Sequence, residues 1–234
     1  ETFYPESRIK SVRCPKTGVV KMVTVDEGKP VEWIEESNYK FRLSEYLGPV
    51  REWLRKANPV QPKSRLHDLQ ELFEEGLPDL SVSRGRASNP WGIPVPNDPD
   101  QTIYVWLDAL SNYFTDAKLT GIPDVHVIGK DILKFHAVYW PAFLMAAGLP
   151  LPKTILTHGH WSVGKTKMSK SIGNVVDPIS MIDEFGLDAV RYLLLRLSKI
   201  DGDSEYDPSM FQKRYNLELA NTLGNLVSRL ANPV

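Results

Sequence analysis

The 234-residue sequence predicts an α/β protein built around part of a parallel sheet, and three observations predict it. From residue 103 onward, short apolar runs suited to buried strands (103–107, 125–128, 155–158) alternate with a long apolar helical run (132–147), the order of a βαβ unit. A glycine-flanked loop carrying Lys167 and Lys170 follows the last of those strands, and parallel sheets bind their ligands at the carboxyl ends of strands. Hydrophobic residues make up 42 % of the chain, enough to fill a core at this length.

The elements follow in order. Residues 1–80 mix short alternating runs with turn residues: 19–25 reads as a strand, and 31–43 as strand-like segments around Glu35-Glu36-Ser37. Ser44 is placed to cap a helix over 45–56, where Leu47, Val50, Trp53 and Leu54 recur at helical spacing and Asn58-Pro59 stops the run. A second amphipathic helix covers 67–75 and ends at Gly76. Four prolines and a glycine within 88–100 predict an irregular connection. Beyond the strand and helix alternation, the chain turns helical from Pro178 to about Ser198 and breaks at Asp201-Gly202-Asp203. It resumes after Asp207-Pro208 with Phe211, Tyr215, Leu219, Leu223, Leu226 and Leu230 at helical intervals.

Composition narrows the function. With 28 basic and 29 acidic side chains, a net charge of −1 gives no global positive field, so any nucleic-acid contact must use a local patch. Cys14 is the only cysteine, which excludes an internal disulfide and a zinc site of several thiolates. No apolar stretch approaches the roughly 20 residues that span a bilayer, so no membrane partner is expected. The sequence opens Glu1-Thr2-Phe3, without methionine, and reads as an incomplete frame.

The strongest motif is Lys167-Met168-Ser169-Lys170-Ser171, between Gly164 and Gly173-Asn174. Two ammonium groups on such a loop can close over a triphosphate and neutralise the charge that develops as pyrophosphate leaves. The bland alternative is a solvated basic loop. On a helix Ile132, His136 and Trp140 fall at i, i+4 and i+8, a nearly straight line. A turn after Leu107 would face them with Trp106, Ala109, Leu110 and Tyr113. Aromatic edges and faces suit a thioether, at about 0.3–1.5 kcal/mol per sulfur–ring contact. The Tyr113 hydroxyl can donate to the sulfur and so reject hydrocarbon isosteres. Such a stripe is also ordinary helix core.

The lysine loop resembles the second signature of class I aminoacyl-tRNA synthetases. Tyr104-Val105-Trp106-Leu107-Asp108-Ala109-Leu110-Ser111-Asn112-Tyr113 resembles the substrate pocket of the methionyl members. So does Val127-Ile128-Gly129-Lys130-Asp131-Ile132-Leu133-Lys134-Phe135-His136, with Tyr139-Trp140-Pro141 after it. The resemblance implies the second half of a class I Rossmann-like parallel sheet with an inserted connective domain, followed by the start of an α-helical anticodon-binding domain. Its implied divisions are a connective insertion over 1–80, the second nucleotide-fold half over 81–176, a stem-contact segment over 177–204 and the first anticodon helix over 205–234. The reaction implied is ATP-dependent activation of L-methionine to methionyl-adenylate, with Mg²⁺ accompanying ATP, and transfer to tRNA(Met).

By the same resemblance Lys167 and Lys170 are catalytic. Asp131, His158, Gly159, Lys167, Met168, Ser169, Lys170 and Ser171 bind ATP, with Asp131 at the ribose and His158-Gly159 beside adenine. Methionine contacts Arg84, Trp106, Ala109, Leu110, Tyr113, Ile132, His136 and Trp140. Asn225 and Arg229, four apart on one helical face, read the anticodon. Arg13-Cys14-Pro15-Lys16-Thr17-Gly18 resembles a remnant of the family's zinc knuckle; with its partner cysteines missing, no structural zinc is expected.

The degenerate knuckle and residues 136–149 resemble mitochondrial members, which implies a monomer of the mitochondrial matrix, with a bacterial or cytoplasmic protein as the alternative. The sequence departs from the family in two places. The His-Ile-Gly-His type signature is not found in these residues, and the segment between Tyr113 and Gly129 is short. These 234 residues alone are therefore expected to be inactive, with an unpaired sheet edge. Three other readings stay open. Another class I synthetase for an aliphatic amino acid would share the lysine loop without the Trp106, Tyr113, His136 and Trp140 set. The others are a non-catalytic tRNA-binding fragment and a nucleotidyltransferase of the same fold.

Overall fold

The computed structural model describes residues 9–13, 20–25, 30–31, 36–115, 121–164, 166–170 and 172–231. Two compact units form: residues 1–39 with 83–103, and residues 40–82 with 104–234. The boundary thus differs from the one expected at residue 80, because 40–82 belongs with the second half of the chain.

In the first unit β1 (Ile9–Arg13) pairs antiparallel with β2 (Val20–Thr24), the strand expected over 19–25. A second sheet holds β6 (Ser83–Gly85), β8 (Asp98–Ile103) and β7 (Pro94–Val95) in that order, all antiparallel. This corrects the irregular reading of 88–100 from Pro94 onward, while 88–93 is irregular as expected. Asn97 supplies the positive φ of 65° that turns β7 into β8, and Pro94 sits on an edge strand, where a missing N–H is tolerated.

Ile103 ends a strand rather than starting one, which corrects the strand expected over 103–107. Tyr104 is extended, and its carbonyl accepts from the N–H of Leu107 at 2.9 Å and of Asp108 at 3.3 Å, opening helix α3 (Val105–Ser111). Trp106, Leu107, Leu110, Tyr113 and Phe114 share the intervals of a helix, a period that outweighs the strand-like composition of Ile103 to Leu107.

In the second unit β3 (Lys40–Phe41) pairs antiparallel with β5 (Leu80–Ser81), and α1 (Leu43–Ala57) ends at Asn58, whose φ of 45° is left-handed and whose N–H reaches Leu54 O at 3.1 Å. Ser44 does not cap this helix. Its N–H and hydroxyl both donate to Asp79 Oδ1, at 3.1 and 2.8 Å, so a carboxylate distant in sequence satisfies the first turn. Helix α2 (Leu66–Glu75) stops at Gly76, as expected. Between these helices runs β4 (Val60–Gln61), too short for periodicity to reveal, yet part of the central sheet.

That sheet is parallel, in the order β4, β10 (Thr154–His158), β9 (Val125–Gly129), with Ile155 opposite Val60 and His158 opposite Gly129. Alternation along β9 buries His126 and Ile128 and leaves Val125 and Val127 exposed. Val60, Ile128 and Ile155 join a core with Leu43, Val50, Leu110 and the buried run from Ala137 to Leu144. The run expected as one helix over 132–147 is three pieces: a 3₁₀ turn (Lys130–Ile132), a wide π turn (Phe135–Tyr139) and α4 (Trp140–Ala146). A π turn adds a residue per turn, so the straight line of Ile132, His136 and Trp140 bends.

Beyond the sheet, the hairpin of β11 (Trp161–Val163) and β12 (Thr166–Lys167) is joined in parallel by β13 (Ser204–Glu205). Met181, Phe185, Val190, Leu193 and Phe211 build a separate core from α5 (Pro178–Phe185), α6 (Leu187–Leu197) and α7 (Pro208–Arg214). Asp207 caps α7 by accepting the Ser209 N–H at 2.8 Å. A π segment (Tyr215–Gly224) and α8 (Asn225–Ala231) follow. Among the described residues no helix is long and apolar enough to cross a membrane.

The helix expected over 178–198 breaks at Gly186, where φ 81° and ψ 151° lie in a region essentially reserved for glycine. Gly186→Ala is expected to cost about 2 kcal/mol of stability, read by urea denaturation. An unchanged midpoint would show that the joint tolerates a side chain.

Candidate nucleotide and amino-acid site

The parallel strands deliver their carboxyl ends side by side, since Gly129 and His158 are register partners. After Gly129 the chain turns through Lys130, Asp131 and Ile132; after His158 it passes Gly159 and His160 into the hairpin that carries Lys167. The two exits converge. Lys167 Nζ lies 3.1 Å from Asp131 Oδ2, and His160 Nε2 lies 3.7 Å from Asp131 Oδ1. Burial pushes the Asp131 carboxyl up, but the Lys167 hydrogen bond and charge, with His160, outweigh it and hold the group below the usual carboxylate range. Burial, then the Lys167 charge, lowers the His160 pKa against the pull of Asp131.

The lysine loop turns at Gly164, with φ 56°. Its backbone is organised by Asn174, whose Oδ1 accepts the Ser169 N–H at 2.8 Å and whose Nδ2 donates to Lys167 O at 3.2 Å. The Met168 N–H donates to Trp161 O at 3.1 Å. Lys170 is exposed, and Ser171 lies outside the described residues. His158 is exposed and uses Nδ1 on Gly159 O at 2.8 Å, whereas Gly159 is buried.

Beside this polar end stands an aromatic cluster. Trp106 stacks on Phe135 with centroids 3.7 Å apart, and meets the His136 ring edge-on at 6.5 Å. Tyr113 lies 6.0 Å from Trp140, itself buried, and stacks on His126 at 3.9 Å. The His136 tautomer follows from its partners. Nδ1 faces the Ile132 carbonyl at 3.0 Å, which only accepts, so Nδ1 carries the hydrogen; Nε2 then accepts from the Tyr113 hydroxyl at 2.8 Å. Burial lowers the His136 pKa, with the Ile132 hydrogen bond opposing, and burial raises that of Tyr113.

Four of the expected methionine contacts, Trp106, Tyr113, His136 and Trp140, thus gather here, and Ile132 joins through its carbonyl. Two expectations are corrected. Leu110 is a core residue, 1 % exposed, while Ala109 is exposed, because both lie on helix α3 rather than on a turn. The Tyr113 proton is committed to His136, so it is not available to a thioether sulfur. Arg84 belongs to the other unit, 3.8 Å from Glu36 Oε2, with both side chains largely buried. Asn225 and Arg229 lie on α8, both exposed and one helical turn apart.

Sequence reasoning missed Phe135 and His126, which complete the aromatic stack, His160, which borders Asp131, and Asp203, which bonds Lys130 and the His160 N–H. Alternation in β9 marks His126 as inward-facing. The π turn that exposes Phe135 to Trp106 leaves no periodic signal. Cys14 lies outside the described residues, and among those described no three His, Cys, Asp or Glu side chains gather around a point.

Comparison with known proteins gives the class first: the family model described as tRNA synthetases class I (M) matches residues 10–231, so the fold is that of a class I aminoacyl-tRNA synthetase. The human mitochondrial methionine–tRNA ligase is 46 % identical over 241 residues, covering 98 % of this chain and 40 % of that protein. The methionine–tRNA ligase of Rickettsia conorii is 48 % identical over 240 residues, covering 98 % of this chain and 45 % of that one. A Mycobacterium tuberculosis methionyl-tRNA synthetase solved with methionyl-adenylate superposes with a TM-score of 0.82 at 41 % identity, covering 99 % of this chain and 47 % of that chain. The chain belongs to the methionyl family of class I tRNA synthetases. It spans less than half the length of these relatives.

Proposed function

We propose that this chain contributes to a methionine-activating site, in which the methionine carboxylate attacks the α-phosphorus of ATP, pyrophosphate leaves, and the methionyl group then passes to tRNA(Met). The observation that carries the reading is the meeting of Lys167 and Asp131, 3.1 Å apart at the carboxyl end of the parallel sheet. Asp131 suits a ribose hydroxyl, His158 and Gly159 the adenine edge, and Lys167 and Lys170 the phosphates of ATP entering as its Mg²⁺ complex. The backbone of Met168 and Ser169, held by Trp161 and Asn174, keeps those lysines on one loop. Ser171, the last residue of the motif, is assigned to ATP as well.

Methionine is assigned to the cluster of Trp106, Phe135, Tyr113, His136 and Trp140, with Ile132 as a further contact. With the Tyr113 proton spent on His136, selection for sulfur rests on ring faces and edges. Asn225 and Arg229 present donors and acceptors on one exposed face suited to an unstacked anticodon base. Similarity to the human mitochondrial ligase supports action in the mitochondrion.

The test is calorimetric titration of the chain with a non-hydrolysable methionyl-adenylate analogue. Saturable binding is expected, weakened at least about tenfold by Trp106→Ala and unmatched by a leucyl analogue. Equal affinity for both analogues would return the chain to the aliphatic class I synthetases.

A further inference from the structure

The two residues that flank Asp131, Lys130 in sequence and His160 in space, share one partner from the turn before β13. The Asp203 carboxylate accepts from Lys130 Nζ at 2.8 Å and from the backbone N–H of His160 at 2.8 Å. Lys130 immediately precedes Asp131, and the His160 ring faces Asp131. One carboxylate therefore grips both strand exits, one after β9 and one after β10. Its neighbour tightens the junction: the Ser204 N–H donates to His160 O at 2.8 Å, and Gly202 O passes so close to Gly159 that a Cβ there would lie 1.9 Å from it. The contact also manages charge. Without Asp203, the Lys130 ammonium loses its carboxylate partner and stands as an uncompensated cation near the His160 ring.

We infer that Asp203 is a positioning residue of the nucleotide half of the site: by holding Lys130 and the His160 backbone together, it sets Asp131 and His160 for a nucleoside and ties them to the turn before β13. The inference rests on the function proposed above. Asp203 does not touch the reacting atoms, and its effect falls on nucleotide recognition rather than on methionine. Lys130 and Asp203 are 31 % and 49 % exposed at their side chains, so solvent screening limits the size of that effect.

Calorimetry with two ligands reads it: a non-hydrolysable methionyl-adenylate analogue, which needs the nucleotide half, and methioninol, which does not. Asp203→Asn keeps an acceptor for the His160 N–H and removes the charge opposite Lys130. It is expected to weaken the analogue about fivefold and leave methioninol unchanged. If Asp203→Asn does not fold, Lys130→Gln carries the same test with the His160 tie intact. Unchanged affinity for the analogue overturns the inference while the methionine-site reading stands. Equal loss of both ligands also overturns it, reducing Asp203 to a structural tie. A wild-type chain that binds neither ligand overturns the site reading, and this inference with it.

Discussion

Gly159→Ala is expected to destabilise the chain by about 3 kcal/mol, at the upper end of what overpacking costs. The added Cβ would lie 1.9 Å from Gly202 O, 2.4 Å from Gly202 C and 2.9 Å from Asp203 N, all backbone atoms that cannot rotate away. The Gly202-Asp203 turn must retreat, and with it go the Asp203 bonds to Lys130 and to the His160 N–H. Gly202→Ala is the control, because a Cβ at Gly202 meets nothing within 4 Å and no positive φ forbids it. Urea denaturation of the two variants should differ by most of the 3 kcal/mol. Equal midpoints would show that the turn is held less tightly against β10 than its geometry implies.

Acidification is expected to weaken the fold from about pH 6.5 downward, through His126. This imidazole is 2 % exposed, stacked on Tyr113, and its Nδ1 makes no hydrogen bond among the described residues. Burial first, and then the neighbouring His136, lowers its pKa from 6.5 to about 4. Between those values the unfolded chain binds the proton and the folded chain does not, so stability is intact above pH 6.5 and is lost as pH falls toward 4. At 1.36 kcal/mol per unit the loss reaches about 3 kcal/mol at pH 4, with His136 adding in the same direction. His126→Phe keeps the stack and removes the proton. Its urea midpoint should be flatter than wild type between pH 6.5 and 5, a window above the depressed carboxylates Asp131 and Asp203. An acid limb equally steep in the variant would assign the loss elsewhere.

Elements with a strong period or a terminator were legible in the sequence. Asn58 and Gly76 end their helices where local chemistry dictates, and Val125 to Ile128 and Ile155 to His158 form strands because short apolar runs bounded by turn residues have no helical length. The strand expected from residue 103 failed because β-branched and aromatic residues outvoted a helical spacing that continues to Phe114. The turn at Asn97 was hidden among prolines that an edge strand accepts. Ser44 was misread because a capping serine and a serine held by a remote aspartate look the same in one dimension.

By itself the sequence determined the βαβ order, the lysine loop from Lys167 to Lys170 and the family they announce, because these depend on local periodicity and on residue types at fixed spacing. Only the tertiary structure decided that β4 joins the sheet, that Tyr113 gives its proton to His136, that His126 lies beneath Tyr113, and that Asp203 binds both strand exits. Those are pairings between segments far apart in the chain. A carboxylate or an imidazole carries no mark of its partner until packing excludes water and leaves one neighbour within hydrogen-bonding reach.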